Sequence, residues 1–447
     1  GRELTPTSRR RHLSPLVSAQ ILIVLYVLWS FASSRWSPAP RVSVGGSILL
    51  GIGVLWSLGL AYGLNARAAA IAARGLMIVT GVTAIIAIWY YYGRNPILRA
   101  KFPFGNPNFL SAALLPGALL AIAALSAAGN RAFRNRAGTG VFSTFLGGAV
   151  LVVTVWALTL CDSRGSNLAL LGGLGAMVFC LLPGKGRWGV ALLAVVAAGV
   201  GAWMFYSMMS DPSATGRSTT LRFRTYTWTY AWRMFTERPL TGYGQGGFSM
   251  LGDSYVGDDV LRDPPVFESR IDHAHCEWLE IMAELGGVGI LLVGGVIFLS
   301  LRSAMRRCEA AGSDRSVVIG LVGGFAALIV EETVGNGLRV SEVPLAFYTV
   351  LGLLWAACKT GEPTPWASQV ITPKTKPVLA VAGIIVAAAV MVVTQHDFHA
   401  ARNAFQTDEF LQKGDEETAV RLASLATDRL SPQRVLINLF RLSNTEL

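Results

Sequence analysis

Long apolar runs separated by short polar joints dominate the chain. A transmembrane helix needs about 20 mostly apolar residues, and eleven stretches meet or approach that length: 13–32, 44–64, 68–92, 109–128, 141–160, 166–182, 188–209, 276–300, 316–335, 340–358 and 377–395. The pattern predicts an all-α, polytopic integral membrane protein of about 11 (10–12) transmembrane helices. A large outward loop covers 210–275 and a short helical tail covers 396–447. Residues 1–395, loop included, form one unit and the tail a second. The first run follows Arg9-Arg10-Arg11 without a convincing small-residue cleavage site, so it reads as a span rather than a removable signal.

Composition agrees with the pattern. Of 447 residues, 52% are hydrophobic and only 15% charged, against about 25% charged in soluble domains. That excludes a cytosolic enzyme and a disordered scaffold. The five cysteines show no CxxC pairing, so neither a disulfide framework nor a metal site is expected. The net charge of +11 is mostly a topology signal, and nucleic acid is not an expected partner. With the N-terminus cytoplasmic, the inside segments hold 18 Lys and Arg and the short outside loops hold 7. Positive-inside bias therefore places loop 210–275 and the tail outside.

Ionisable groups inside a bilayer are costly and tend to mark function. Here they gather at the outer ends of spans: Asp162 and Arg164, Glu277 to Glu284, and Glu331, Glu332 and Arg339. No chain of carboxylates crosses the midplane, which argues against a proton-coupled transporter. In the loop, alternating aromatics suggest a strand, but Arg224, Trp228, Trp232 and Phe235 recur at near-helical spacing with Pro239 as a stop. A helix lying in the membrane interface is the preferred reading. Its arginines either meet lipid phosphates or bind a phosphorylated lipid, since a guanidinium fork matches phosphate oxygens. Gly242-Tyr-Gly244-Gln-Gly246-Gly247 spells a dinucleotide fingerprint without a βαβ context and reads as a tight loop. The loop aspartates lack calcium-loop spacing.

His273 and His275 stand at the mouth of the eighth span. An imidazole there serves either as a general base or as an interface histidine. Glu277, Glu280 and Glu284 follow at i, i+3 and i+7 as one acidic stripe. That stripe would orient His275 or the arginines, or else form a buried salt bridge. Asn106-Pro107-Asn108 reads as a turn and helix cap before the fourth span.

Four motifs together resemble the O-antigen ligase family, which includes O-antigen polymerases and related polysaccharide ligases. They are Gly105-Asn106-Pro107-Asn108, Ser163-Arg164-Gly165, Arg224-x3-Trp228-x10-Pro239-Leu240-x-Gly242-x-Gly244, and His275-x3-Leu279-x4-Glu284-x-Gly286. The resemblance covers about 15–360. Cys276 departs from it, standing where the family often has Asn. The resemblance implies a metal-independent, cofactor-free glycosyltransferase of the bacterial inner membrane. It would move a glycan from an undecaprenyl-diphosphate-linked donor to an acceptor at the periplasmic face: lipid A core, another glycan or a protein hydroxyl. Arg164 and Arg224 would hold the diphosphate and His275 would assist the attacking hydroxyl. Arg217, Arg222, Asn108 and Glu284 are the further candidates for substrate binding. The rival readings are a lipid-linked glycan flippase and a non-catalytic envelope scaffold. The tail resembles one tetratricopeptide-type helical pair, which implies a protein partner.

Overall fold

The structure is a computed structural model that describes residues 14–94, 99–133, 141–187, 189–191, 218–255, 271–309, 315–339 and 342–359. Eleven α-helices are numbered here: α1 Pro15–Ser33, α2 Pro40–Gly63, α3 Ala66–Arg94, α4 Pro107–Phe133, α5 Val141–Cys161, α6 Arg164–Leu181, α7 Ser218–Glu237, α8 Gly247–Leu251, α9 Glu277–Glu309, α10 Arg315–Val334 and α11 Glu342–Ala357. Short 3-10 turns cover Gly252–Tyr255 and Gly337–Arg339. No strand occurs among the described residues. Helices are the expected outcome, because a backbone in hydrocarbon must satisfy its N–H and C=O groups within its own segment.

Eight of these helices are long and apolar enough to cross a membrane: α1 to α6, α9 and α10. They coincide with eight of the eleven apolar runs. The run at 340–358 is α11, whose apolar stretch Val343–Ala357 is shorter than a full span. The runs at 188–209 (apart from 189–191) and 377–395, and the helical pair expected in the tail, lie outside the described residues.

Local chemistry sets the helix starts. Pro15, Pro40 and Pro107 open α1, α2 and α4, where a missing N–H costs nothing. The Ser14 hydroxyl accepts from Val17 N–H at 3.3 Å, and Ser163 caps α6 through Ser166 N–H at 3.4 Å.

α4 and α10 are the inner helices. About 67% and 72% of their apolar windows are buried, against 22–39% for the other candidate spans. α10 packs between α4 and α6, α1 runs along α9, and α11 lies against α2 and α3. The contact between α6 and α10 depends on small residues: a Cβ on Gly173 would stand 2.7 Å from the Gly323 carbonyl oxygen. Such residues let membrane helices approach closely where no hydrophobic drive separates lipid from side chain. Polar side chains add specific ties. Trp355 Nε1 donates to Ser300 Oγ at 2.9 Å, and Tyr62 Oη donates to Gln20 Oε1 at 2.6 Å. Leu49, Leu55, Trp89, Phe145 and Leu291 point outward from the bundle, as lipid-facing positions should.

The ends of α1, α3, α5 and α10 meet the starts of α2, α4, α6, α9 and α11 at one end of the bundle. Ser30 and Ser47 share a hydrogen bond there at 2.7 Å, as do Ser111 and Ser166 at 2.6 Å. The polar residues of interest lie at this same end.

Candidate functional site

A break in α9 creates the frame. Gly286 adopts φ 66°, ψ −165°, which leaves backbone groups on both sides of it unpaired within the helix. The segment after α7 fills the gap. Tyr243 N–H donates to Ala283 O at 3.0 Å, Gly244 N–H to Glu284 O at 2.7 Å, and Gly287 N–H to Pro239 O at 2.7 Å. The approach leaves no room for a side chain at Gly242 or Gly286. A Cβ on Gly242 (φ 61°) would lie 2.3 Å from the Glu284 carbonyl carbon, and one on Gly286 would lie 2.3 Å from Leu240 O. The glycines of the loop motif and of the Glu284-x-Gly286 motif therefore answer each other across one junction. Gln245 continues the docking: its N–H donates to Ser33 Oγ at 3.0 Å, and its carbonyl accepts from Ser43 Oγ at 2.6 Å. This loop is a structural latch, in keeping with its reading as a tight turn.

α7 is a helix, as the Arg224–Trp228–Trp232–Phe235 spacing required, and it ends at Glu237 just before Pro239. Its inner face buries Tyr230, Ala231 and Met234 with Phe248, Ile271 and Ala274. That packing carries Arg224 to the short segment 271–276. Thr227 Oγ1 donates to Ala274 O at 2.9 Å, and the Phe223 ring meets the His275 ring edge-on at 5.7 Å between centroids. His275 itself has φ 53°, a left-handed conformation unusual for any residue but glycine and a frequent mark of functional sites. Its side chain is only partly buried.

The electrostatics of His275 suit a base. Burial, then the Arg224 cation, then His273 push its imidazole down to about 4, while Glu280 and the Asn336 side chain pull the other way. At neutral pH the ring is uncharged and can accept a proton. Arg224 is pulled below its ordinary value by burial, partly offset by Glu331 and the Cys276 thiol. A guanidinium remains a cation at neutral pH nonetheless.

Beneath this pair lies a buried ionic cluster. Arg339 donates through Nε to both oxygens of Glu277, at 3.0 and 2.9 Å, and through Nη1 to Glu284 Oε2 at 2.7 Å. Glu280 Oε1 stands 3.6 Å from the same Nη1. Burial opposes the charge of Arg339, but Glu277, Glu280 and Glu284 together hold its guanidinium well above the usual range. Glu280 also accepts from Ala274 N–H at 2.9 Å and lies 2.9 Å from His273 Nδ1. Burial would lower His273; the Glu280 carboxylate outweighs it and raises the imidazole.

The acidic stripe thus engages Arg339 and His273 rather than His275 or Arg224. Glu284 in particular is fully buried, and besides Arg339 it accepts from Phe248 N–H at 3.3 Å. Its carboxylate is committed to protein groups. Of the remaining candidates, Arg164 is exposed at the first turn of α6. The adjoining Gly165 faces Val334 at the end of α10, 3.0 Å from where a Cβ would sit, three residues before the turn that carries Asn336's neighbours. Asn108 is partly buried and receives Arg99 Nη2 at 3.1 Å on Oδ1, while its own N–H donates to Asn106 Oδ1 at 2.8 Å. It serves the turn before α4. Arg222 lies on α7, and Arg217 lies outside the described residues.

Four residues of this end carried no sequence motif. Arg99 donates to Cys161 O, Asp162 O and Asn108, bracing the corner before Arg164. Glu331, buried beside Arg224, has one oxygen without a hydrogen-bond partner among the described residues. Arg339 and Asn336 come from the α10–α11 connection. The polar grouping of Glu331, Glu332 and Arg339 at a span end was visible in the sequence; which carboxylates Arg339 would meet was not.

No curated protein matches the chain. A family model described as O-Antigen ligase matches residues 149–294, a stretch from α5 through the first half of α9 that contains Arg164, Arg224 and His275. Residues 149–294 of this helical membrane protein are thus similar to the O-antigen ligase family.

Proposed function

We propose that this protein is a glycosyltransferase that moves a glycan from an undecaprenyl-diphosphate carrier to an acceptor hydroxyl at the periplasmic face of the bacterial inner membrane. The observation that carries the reading is the placement of an uncharged imidazole, His275, beside a permanent cation, Arg224, at one mouth of a helix bundle. Their segments are some fifty residues apart and are joined by Thr227, Phe223 and the Gly242–Gly286 latch.

Each part has a chemical duty in this account. His275 takes the proton from the acceptor hydroxyl as its oxygen attacks the anomeric carbon. The bond from that carbon to the diphosphate oxygen breaks, and the carrier leaves as undecaprenyl diphosphate. Arg224, helped by the exposed Arg164, meets the negative charge that develops on the leaving group. Cationic side chains supply this stabilisation without a divalent ion, so the reaction is proposed to proceed in EDTA. The negative charge of Glu331 favours the Arg224 cation, and the Arg339 cluster braces α9 against the α10–α11 turn. The acceptor, lipid A core or another glycan or a protein hydroxyl, distinguishes ligase from polymerase.

The test uses purified protein in nanodiscs with an undecaprenyl-diphosphate-linked glycan, EDTA and a panel of acceptors. Release of undecaprenyl diphosphate by the wild type, abolished in Arg224→Ala and His275→Ala, supports the reading. Donor bound without carrier release by any acceptor favours a flippase, and absence of donor binding favours a scaffold.

A further inference from the structure

Ala274 divides two histidines that are held by different helices. Its N–H donates to Glu280 Oε2 and its carbonyl accepts from Thr227 Oγ1, both at 2.9 Å, so the peptide groups on either side of it are pinned to α9 and α7. The Phe223 ring of α7 meets His275, whereas Nδ1 of His273 lies 2.9 Å from Glu280 Oε1 on α9. The Cα atoms of residues two apart are separated by at most about 7 Å, so both histidines belong to the same mouth. The reading of His275 as a base leaves His273 without a task.

Glu280 holds the His273 ring through one oxygen and the adjoining backbone through the other, which fixes both its place and its rotation. A ring nitrogen facing a carboxylate carries its hydrogen, which leaves Nε2 as the position open to a ligand. No other hydrogen bond engages the ring among the described residues, and 20% of the side chain stays exposed. Charge favours a cation at this place. Glu277, Glu280 and Glu284 gather on the single guanidinium of Arg339, and a protonated His273 adds a second positive charge to that group. The ring is faced by Glu280 and Glu277 from α9, by Arg339 from the 3-10 turn and by His275 from its own segment. Burial works against its charge, but the Glu280 carboxylate outweighs burial and raises the imidazole. His275, by contrast, is depressed by burial and Arg224 to about 4. Environments that push two titratable groups apart give them different roles.

We propose that His273, held by Glu280, is a further catalytic residue: its imidazolium donates Nε2–H to a diphosphate oxygen of the carrier and shares with Arg224 the negative charge of the leaving group. The proton stays on the ring, and the hydrogen bond strengthens as the bond to the anomeric carbon breaks and its electron pair moves to the diphosphate oxygen. The assignment rests on the reading of this mouth as the diphosphate site.

Binding of undecaprenyl diphosphate, without glycan or acceptor, to the full chain in nanodiscs tests it. At about pH 6.5, the ordinary imidazole value, His273→Gln is expected to bind about 10- to 100-fold more weakly than the wild type, the worth of one charge-assisted hydrogen bond. The difference should shrink as pH rises and the imidazolium loses its proton. The phosphate of the carrier titrates equally in both measurements, so the ratio of the two affinities isolates the histidine. Glu280→Gln, checked for folding by its melting temperature and measured against the same His273→Gln reference, is expected to move that decline down by about a pH unit or more. A merely structural histidine gives no such pH-dependent ratio. Equal binding by wild type and His273→Gln at the lower pH, or a ratio that stays flat with pH, overturns the assignment, and an unmoved decline in Glu280→Gln overturns the part given to Glu280. Arg224→Ala separates the levels. If it weakens carrier binding while His273→Gln does not, the His273 assignment alone falls; if the wild type does not bind the carrier, the diphosphate reading falls and this inference with it.

Discussion

Arg224 and His275 make the sharpest demands on side-chain chemistry. Replacing Arg224 with Lys keeps the charge but loses the planar fork. If one charge-assisted hydrogen bond of about 1.5–3 kcal/mol is forfeited, turnover should drop about 10- to 100-fold; carrier release at saturating donor measures it, and an unchanged rate would remove Arg224 from the diphosphate. His275 gives a pH signature. Its folded-state value is depressed to about 4, and the neutral form is the active one. Activity should therefore persist as pH falls through the ordinary imidazole range and decline only on approach to 4, visible in the acid limb of kcat/KM. An acid limb near 6.5 would mean that Arg224 and burial do not act on the ring as described. Both residues were legible in the sequence, because a lone basic motif in an outer loop and a histidine at a span mouth are rare in so apolar a chain. The left-handed backbone of His275 was not, because nothing in the residue types around it announces a positive φ.

At the scale of elements, the break in α9 is the feature on which the site depends. The helical period of α7 and its stop at Pro239 were readable, since Arg224, Trp228, Trp232 and Phe235 follow a 3.6-residue repeat. The break was not, because Gly286 inside an apolar run is indistinguishable from a packing glycine until the 239–244 segment is laid against it. Gly242→Ala should cost about 1–3 kcal/mol for the left-handed backbone alone, with the clash against Glu284 in addition. A lower melting temperature in detergent, together with lost carrier release, is the expected result; a variant that melts and turns over like the wild type would show that the latch is dispensable. The ionic floor makes a separate prediction. Arg339→Leu leaves Glu277, Glu280 and Glu284 buried without their cation, which should destabilise the protein by about 3–5 kcal/mol, read from the same melts. The acidic stripe was visible as i, i+3, i+7 spacing, yet spacing on one helix says nothing about which cation another element supplies.

Across the whole molecule, alternation of the helices brings the Arg164, Arg224 and His275 segments to one end of the bundle, and the far end carries Arg67 and Arg306. In the proposed topology, which rests on the charge bias of the loops, the first end faces the periplasm. All five cysteines are buried, so single introduced cysteines can report sidedness. Thr236→Cys, at an exposed position on α7, should react with a membrane-impermeant maleimide in intact cells, and Arg67→Cys, exposed in the first turn of α3, only after permeabilisation. The reverse pattern would invert the topology. Hydropathy found the spans readily because each is a long run with few charges, and the coarse architecture followed. It could not rank them: that α4 and α10 form the core while α2 faces outward depends on pairs such as Gly173 with Gly323, which sequence distance hides.

The most direct test of the account as a whole is release of undecaprenyl diphosphate from its glycan-bearing form in EDTA, comparing wild type, Arg224→Ala and His275→Ala in nanodiscs with lipid A core, glycan and protein acceptors. Release by the wild type with one of these acceptors, and its loss in both variants, is the expected outcome. Release that survives in either variant, or that appears only when a divalent cation is restored, would contradict it.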